Sequence, residues 1–239
     1  MTTQAVASLV DYLEASARQF ADRPAIVDPA GWSVTYRELD DNADRVAGFL
    51  VSAGVRPGDR VGVIVPKGIA ALTAFFGIMK ARAAYVPADY TAPVARNRAI
   101  LSDCAVRVAF LTTACAAILD PWTDAPPSCV VFLDDGPLPA PTGESRICRW
   151  PEAISHAPAR LEGRDRHDLA YILYTSGSTG VPKGVNGPDC SMARSSAPLR
   201  WARQRPSMAS GKGGAVGSAL SHSDTPRAPS WPRAWAFAS

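Results

Sequence analysis

Apolar side chains recur at helical spacing at Val6, Leu9, Val10, Leu13 and Ala17 and stop before Asp22-Arg23-Pro24, which predicts a helix and then a short strand, Ala25 to Val27. Thr35 and Glu38 stand three apart, as in a capping box, ahead of a helix with Leu39, Val46, Phe49 and Leu50 inward and Gly54 at its C′ position. The turn Pro57-Gly58-Asp59 leads into a strand, Arg60 to Val65, and an apolar helix, Ile69 to Met79. Tyr85-Val86-Pro87 reads as the next strand or turn, Pro93 to Leu101 as a helix, Val106 to Leu111 and Cys129 to Leu133 as strands, and Leu169 to Tyr174 as the last strand. Repetition of strand then helix predicts an α/β fold with a mostly parallel sheet flanked by helices. Asp134 to Asp168 is rich in proline, glycine and charge and reads as irregular connection. Its Asp134-Asp135 reads as a strand-end turn, and its His156 and His167 as surface residues.

The apolar strand from Leu169 runs into YTSGSTGVPKGV, a loop of small hydroxylated residues, glycines and one lysine. Thr175, Ser176, Ser178 and Thr179 supply hydroxyl donors around Gly177 and Gly180, the glycines admit an anion close to backbone N–H groups, and Lys183 adds a mobile positive charge. Such a set suits a polyphosphate. Pro182 keeps the loop from continuing directly into a helix, so a wrapping loop is expected. A Walker A loop needs glycine before its lysine and Ser or Thr after it, where this chain has Pro182 and Gly184. The dinucleotide fingerprint fails as well, because Thr179 stands where its second glycine belongs. A flexible linker would explain neither the strand before the loop nor the Pro-Lys-Gly after it.

The string resembles the phosphate-binding motif of the adenylate-forming superfamily, which includes acyl-CoA synthetases, luciferases and the adenylation domains of nonribosomal peptide synthetases. Val34-Thr35-Tyr36-Arg37-Glu38-Leu39 is similar to the first core motif of that family, and KARAAYVPAD, Lys80 to Asp89, to the second. Tyr85-Val86-Pro87 with Pro93-x-x-Arg96 is most similar to amino-acid adenylation domains. Arg82 departs from the pattern, standing where glycine is usual and putting a long charged side chain at a turn that tolerates positive φ.

The resemblance implies that residues 5–185 form the N-terminal part of an AMP-binding large domain. It also implies ATP with Mg2+ as cofactors, a carboxylic acid, in the first instance an amino acid, as the substrate activated to an acyl adenylate, and a carrier protein's thiol as acceptor. Thr175, Ser176, Gly177, Ser178, Thr179, Gly180, Lys183 and Gly184 would bind the phosphates. A fragment of an acyl-CoA synthetase is the alternative enzyme, and a non-catalytic nucleotide- or partner-binding module the alternative of another class. The family's acyl pocket, magnesium glutamate, ribose aspartate and C-terminal lysine subdomain find no counterpart after Val185. No catalytic residue or metal ligand is assigned, and the chain is expected to be inactive by itself.

Charge divides the chain. Residues 1–185 hold 18 Lys+Arg against 20 Asp+Glu, a formal −2, and residues 186–239 hold 7 against 2, a formal +5, which together give the net +3. The basic excess lies in the tail, so nucleic acid and membrane are not expected as partners of the body. No basic patch precedes an apolar run at the N-terminus, and Gly68 to Met79 is short for a bilayer of about 30 Å, so the expected location is cytoplasmic. Five cysteines, odd in number and without a C-x-x-C, suggest neither a disulfide framework nor a zinc site.

Residues 186–239 contain ten Ala, ten Ser, six Pro, six Arg and five Gly but only four of Leu, Ile, Val and Phe together, and they are expected to be disordered. They also contain no Glu, and their dominant residues are those of GC-rich codons. A frameshift just after Val185 is therefore expected.

Overall fold

The computed structural model describes residues 8–29, 31–120, 122, 125–140, 145–165, 167–175 and 183–188. Disorder is expected from Asn186 onward, but residues 186–188 pair with a neighbouring strand, and the remainder of that expectation, from residue 189, lies outside the described residues. Helix α1 (Leu9–Gln19) is followed by the antiparallel pair β1 (Pro24–Val27) and β2 (Ser33–Thr35) and by α2 (Tyr36–Ser52). Then come β3 (Arg60–Ile64), α3 (Ile69–Lys80), β4 (Ala84–Pro87), α4 (Val94–Asp103) and β5 (Val108–Leu111). A 3-10 segment, Thr113–Leu119, leads to β6 (Cys129–Phe132), β7 (Arg146–Arg149), α5 (Trp150–Ile154), β8 (Leu169–Thr175) and β9 (Lys183–Pro188).

Strands β3 to β9 form one sheet in the order β7-β6-β5-β3-β4-β8-β9, parallel except for β9, which runs antiparallel to β8. Side chains alternate across it. Val61, Val63, Val108, Phe110 and Val131 face α2, α3 and α5, whereas Ile64, Ala109, Leu111, Val130 and Phe132 face α4 and the 3-10 segment. The result is three layers with two cores.

Local chemistry starts α2 as the sequence predicts. Thr35 Oγ1 accepts from the Glu38 amide at 3.2 Å while the Glu38 carboxylate accepts from the Thr35 amide at 2.8 Å, which completes a capping box. Gly54 closes the helix at φ +83°, a conformation open to glycine at little cost. A Cβ on Gly77 of α3 would lie 2.5 Å from Val46 Cβ of α2, so the absent side chain lets the two helices pack closely.

That close pair encloses a charge. Lys80, with only 2% of its side chain exposed, reaches back from the end of α3 to the Asp40 carboxylate at 2.7 Å and to Asp44, one helical turn further along α2. It also donates to the Asp40 carbonyl at 3.3 Å. Arg160 seals the cluster from outside, its Nε 2.7 Å from Asp44 Oδ2, and this bond raises the Arg160 pKa.

Three further expectations need correction. The stretch from Asp134 to Asp168 is not wholly irregular, because it carries β7 and α5, hidden in the sequence by the arginines that flank the short pair Ile147-Cys148 and by Pro151 at a first-turn site where proline fits. Leu169 to Tyr174 is not the last strand, since β9 follows with two glycines and a proline that weaken any strand pattern. His156 is half-buried, its ring edge-on to Phe49 with centroids 6.2 Å apart.

Replacing Lys80 with alanine leaves two buried carboxylates with only the largely exposed Arg160 as counter-charge and is expected to destabilise the fold by about 3 kcal/mol. Denaturant unfolding of Lys80→Ala against wild type checks this, and a loss under about 1 kcal/mol would show that the cluster is replaceable by solvent.

Candidate functional site

The segment leading into β8 is held by charges spaced four apart. Arg160 binds Asp44 of α2, Arg164 binds Asp11 and Glu14 of α1 at 3.3 and 3.2 Å, and Asp168 accepts from Arg82 Nε at 2.9 Å. Upstream, the carbonyl of Ala157 passes over Gly48 so closely that a Cβ there would lie 1.9 Å from it. Arg82 keeps φ +56°, so the turn survives the departure from glycine, and its guanidinium also donates to the Glu162 carbonyl at 3.3 Å. Bonding to Asp168 raises the Arg82 pKa.

Strand β8 then enters the sheet beside β4, with Tyr171 opposite Tyr85, and ends at Thr175 on the carboxyl edge of the parallel strands, the edge where open α/β sheets bind ligands. Thr175 pairs with Lys183 and Tyr174 with Gly184, so β8 and β9 form the two antiparallel arms of a hairpin. Of the predicted phosphate-binding residues, Thr175 and Lys183 are thus placed directly opposite each other and Gly184 next to them, exposed in β9. Ser176, Gly177, Ser178, Thr179 and Gly180 lie outside the described residues. The expected wrapping loop also lies outside the described residues, and the chain that follows it, from Lys183, is a strand and not a helix.

Tyrosines cover the glycines of the hairpin. A Cβ on Gly187 would lie 2.1 Å from Tyr171 Cζ, and one on Gly184 would lie 3.4 Å from Tyr174 Cζ. The Tyr174 hydroxyl donates to Asp103 at the end of α4, and burial, then this bond, raise its pKa. Leu173 and Val185, opposite each other on the other face, are 43% and 53% exposed.

Elsewhere on the carboxyl edge, Asp134 forms the strand-end turn expected of it and accepts from the Thr113 amide and hydroxyl at 2.8 and 2.7 Å, joining the exits of β5 and β6. Asp89, just after β4, accepts from the Thr91 hydroxyl and amide, which lowers its pKa. A surface cleft of about 490 Å³ is lined by Asp41, Asp44, Arg45, Pro158 and Arg160, and none of these belongs to the hairpin. Cys104, Cys115, Cys129 and Cys148 are buried thiols, Cys129 and Cys148 with sulfurs 3.9 Å apart. Among the described residues no helix is long and apolar enough to cross a membrane.

Residues 13–199, which include the capping box, the Lys80 cluster, the sheet and the hairpin, match the profile of the AMP-binding enzymes. The chain belongs to that family. It is 41% identical over 159 residues to the isonitrile lipopeptide synthase of Streptomyces coeruleorubidus, with 66% of this chain and 10% of that protein covered. Against the phosphinothricin tripeptide synthetase PhsB of Streptomyces viridochromogenes the values are 35% over 190 residues, 78% and 15%. Among solved structures, the anthranilate CoA ligase AuaEII in complex with anthranoyl-AMP superposes with a TM-score of 0.68 at 27% identity, over 77% of this chain and 35% of that one. This AMP-binding chain therefore spans a small part of the relatives it matches, and the match continues past Val185 to residue 199.

Two outcomes follow from the Arg82 turn and the buried Cys129 thiol. Arg82→Ala keeps the strained φ and loses the Asp168 pair, whereas Arg82→Gly loses the pair but relieves the strain, so the glycine variant is expected to be the more stable of the two by about 1 kcal/mol. Thermal unfolding of both variants checks the order. Burial pushes the Cys129 thiol up from 9.0 to about 12, so the folded state holds that proton more tightly than the unfolded state. Its contribution to stability is complete below about pH 9.0, the ordinary thiol value, and falls as pH rises toward the folded value. Cys129→Ala should flatten the fall in stability over that alkaline window, measured by denaturant unfolding at stepped pH.

Proposed function

We propose that the hairpin from Thr175 to Gly184 is the polyphosphate grip of an ATP-dependent adenylating ligase, and that the acid it serves is an amino acid passed on to a carrier thiol. The observation that carries this reading is the strand-loop-strand with Thr175 facing Lys183 on the carboxyl edge of the sheet. Residues 176–182 add hydroxyls and glycines and no carboxylate, a donor set that fits phosphate oxygens. Mg2+, where present, would be held through those oxygens, since the loop itself offers no acidic ligand. Sequence identity to peptide synthetases, 41% and 35%, supports the amino acid over the aryl acid of the CoA ligase at 27%.

In that reaction a carboxylate oxygen attacks the α-phosphorus of ATP, the bond to the bridging oxygen breaks, and pyrophosphate leaves with the electron pair. The loop amides, hydroxyls and Lys183 would neutralise charge on the departing oxygens. A grip of a few charge-assisted bonds, each worth about 1.5–3 kcal/mol, must also order its own loop. The isolated chain is therefore expected to bind ATP no tighter than about 1 mM, with Lys183→Ala weakening it about tenfold. Calorimetric titration checks the affinity. Amino-acid-dependent exchange of pyrophosphate into ATP should be absent, and its presence in the purified chain would overturn the reading of this polypeptide as inactive alone. We also propose a change of reading frame just after Val185 as the origin of the change in composition there. Translating the coding DNA in the other two frames should then restore an apolar strand and helix.

A further inference from the structure

Strand β8 carries the loop, yet among the described residues its register with β4 is the one pair Tyr85↔Tyr171, whereas β3 shares four pairs with each of its neighbours. The loop-bearing end, Ile172 to Thr175, is held by other means. Tyr174 is the last side chain described before the loop, and its hydroxyl proton goes to Asp103 Oδ2. A phenol has one proton, so the Cys104 thiol, 3.3 Å away, is the donor to the phenol oxygen. Cys104 is fixed in turn, its carbonyl accepting from Arg60 Nε of β3 at 2.7 Å. A continuous path thus runs from the central strand through the end of α4 to the last residue but one of β8. A Cβ on Gly184 would lie 3.5 Å from the phenol oxygen, an ordinary contact, so the clasp does not depend on glycine at that position.

We propose that Tyr174 is the positioning residue of the phosphate loop, its hydroxyl fastened to Asp103 and Cys104 so that β8 delivers Thr175 to a fixed place. This rests on the reading of residues 175–184 as the phosphate grip. The ring of Tyr174 fills the core against α4 with or without its oxygen, so the hydroxyl can be tested apart from the packing.

Hydrogen exchange of the full chain, with and without ATP, separates the cases. Tyr174→Phe and Asp103→Ala should each speed exchange of the backbone amides at 174–175 and 183–187 about tenfold while leaving β3 and β5 unchanged. Asp103→Asn keeps an acceptor oxygen and should return the hairpin close to wild-type rates, and the double variant Tyr174→Phe with Asp103→Ala should be no faster than either single one. With ATP present, amides of 176–184 should slow in the wild type, and Tyr174→Phe should need about ten times more ATP for the same protection. Equal acceleration across the whole sheet, or none at the hairpin, would overturn the positioning role. If ATP slows nothing in the wild type, the phosphate reading falls, while the hairpin rates still decide whether the clasp anchors β8. Should Tyr174→Phe fail to fold, the contrast between Asp103→Ala and Asp103→Asn carries the same decision.

Discussion

The buried ammonium of Lys80 is the constraint around which this fold is arranged. Between Asp40 and Asp44 it ties the C-terminus of α3 to two successive turns of α2, and the cost of removing three charges from water is offset only while all three stay together. The cluster therefore acts on position more than on net stability: α2 cannot slide along α3 by one turn without stranding a carboxylate. Gly77 permits the close approach, and Lys80 fixes the register once the approach is made. Strand β4 begins four residues after Lys80, so its placement inherits this register, and β8 inherits it from β4.

The segment before β8 repeats the device with less burial. Arg160, Arg164 and Asp168 each meet a different element, α2, α1 and the α3–β4 turn, and together they steer an extended chain across one layer and into the sheet. Pairs of this exposure contribute about 0–1 kcal/mol each, so the segment owes its course to the three acting jointly and to the backbone bond from the Ala159 amide to the Asp44 carbonyl. Arg82 explains why a turn that favours glycine tolerates arginine: the side chain recovers through Asp168 and Glu162 part of what the backbone loses at positive φ.

Elements whose cause is local were legible in the sequence. The capping box at Thr35, the C′ glycine at position 54, and the apolar runs of β3, β5 and β6 depend on neighbours within a few residues or on burial from both faces. Elements whose cause is distant were not. β7 holds only two apolar residues, Ile147 and Cys148, between Arg146 and Arg149 and becomes a strand because β6 offers an unpaired edge, and the charge ladder at 160, 164 and 168 reads as solvated surface until its partners more than 80 residues away are in place. For the candidate site, the residue types of the loop were readable and so was its strand. The clasp at Tyr174 was hidden, because a tyrosine ending an apolar strand looks like packing until Asp103 appears beside its hydroxyl.

The hairpin that carries the loop is an edge, and glycines at an edge weaken pairing. Here each described glycine of β9 lies opposite a tyrosine of β8: Gly187 faces Tyr171 and Gly184 faces Tyr174. An aromatic ring laid over a cross-strand glycine restores the contact area that the glycine lacks and shields the ladder from water. The two tyrosines belong to opposite cores, Tyr171 stacking toward Tyr85 and α1, Tyr174 toward α4, so the hairpin is gripped on both faces of the sheet at once. The two contacts differ in tightness. A Cβ on Gly187 would lie 2.1 Å from the Tyr171 ring and could not be added without moving it, whereas one on Gly184 would meet the Tyr174 ring at 3.4 Å, an ordinary contact, so it is at Gly187 that the hairpin requires the missing side chain.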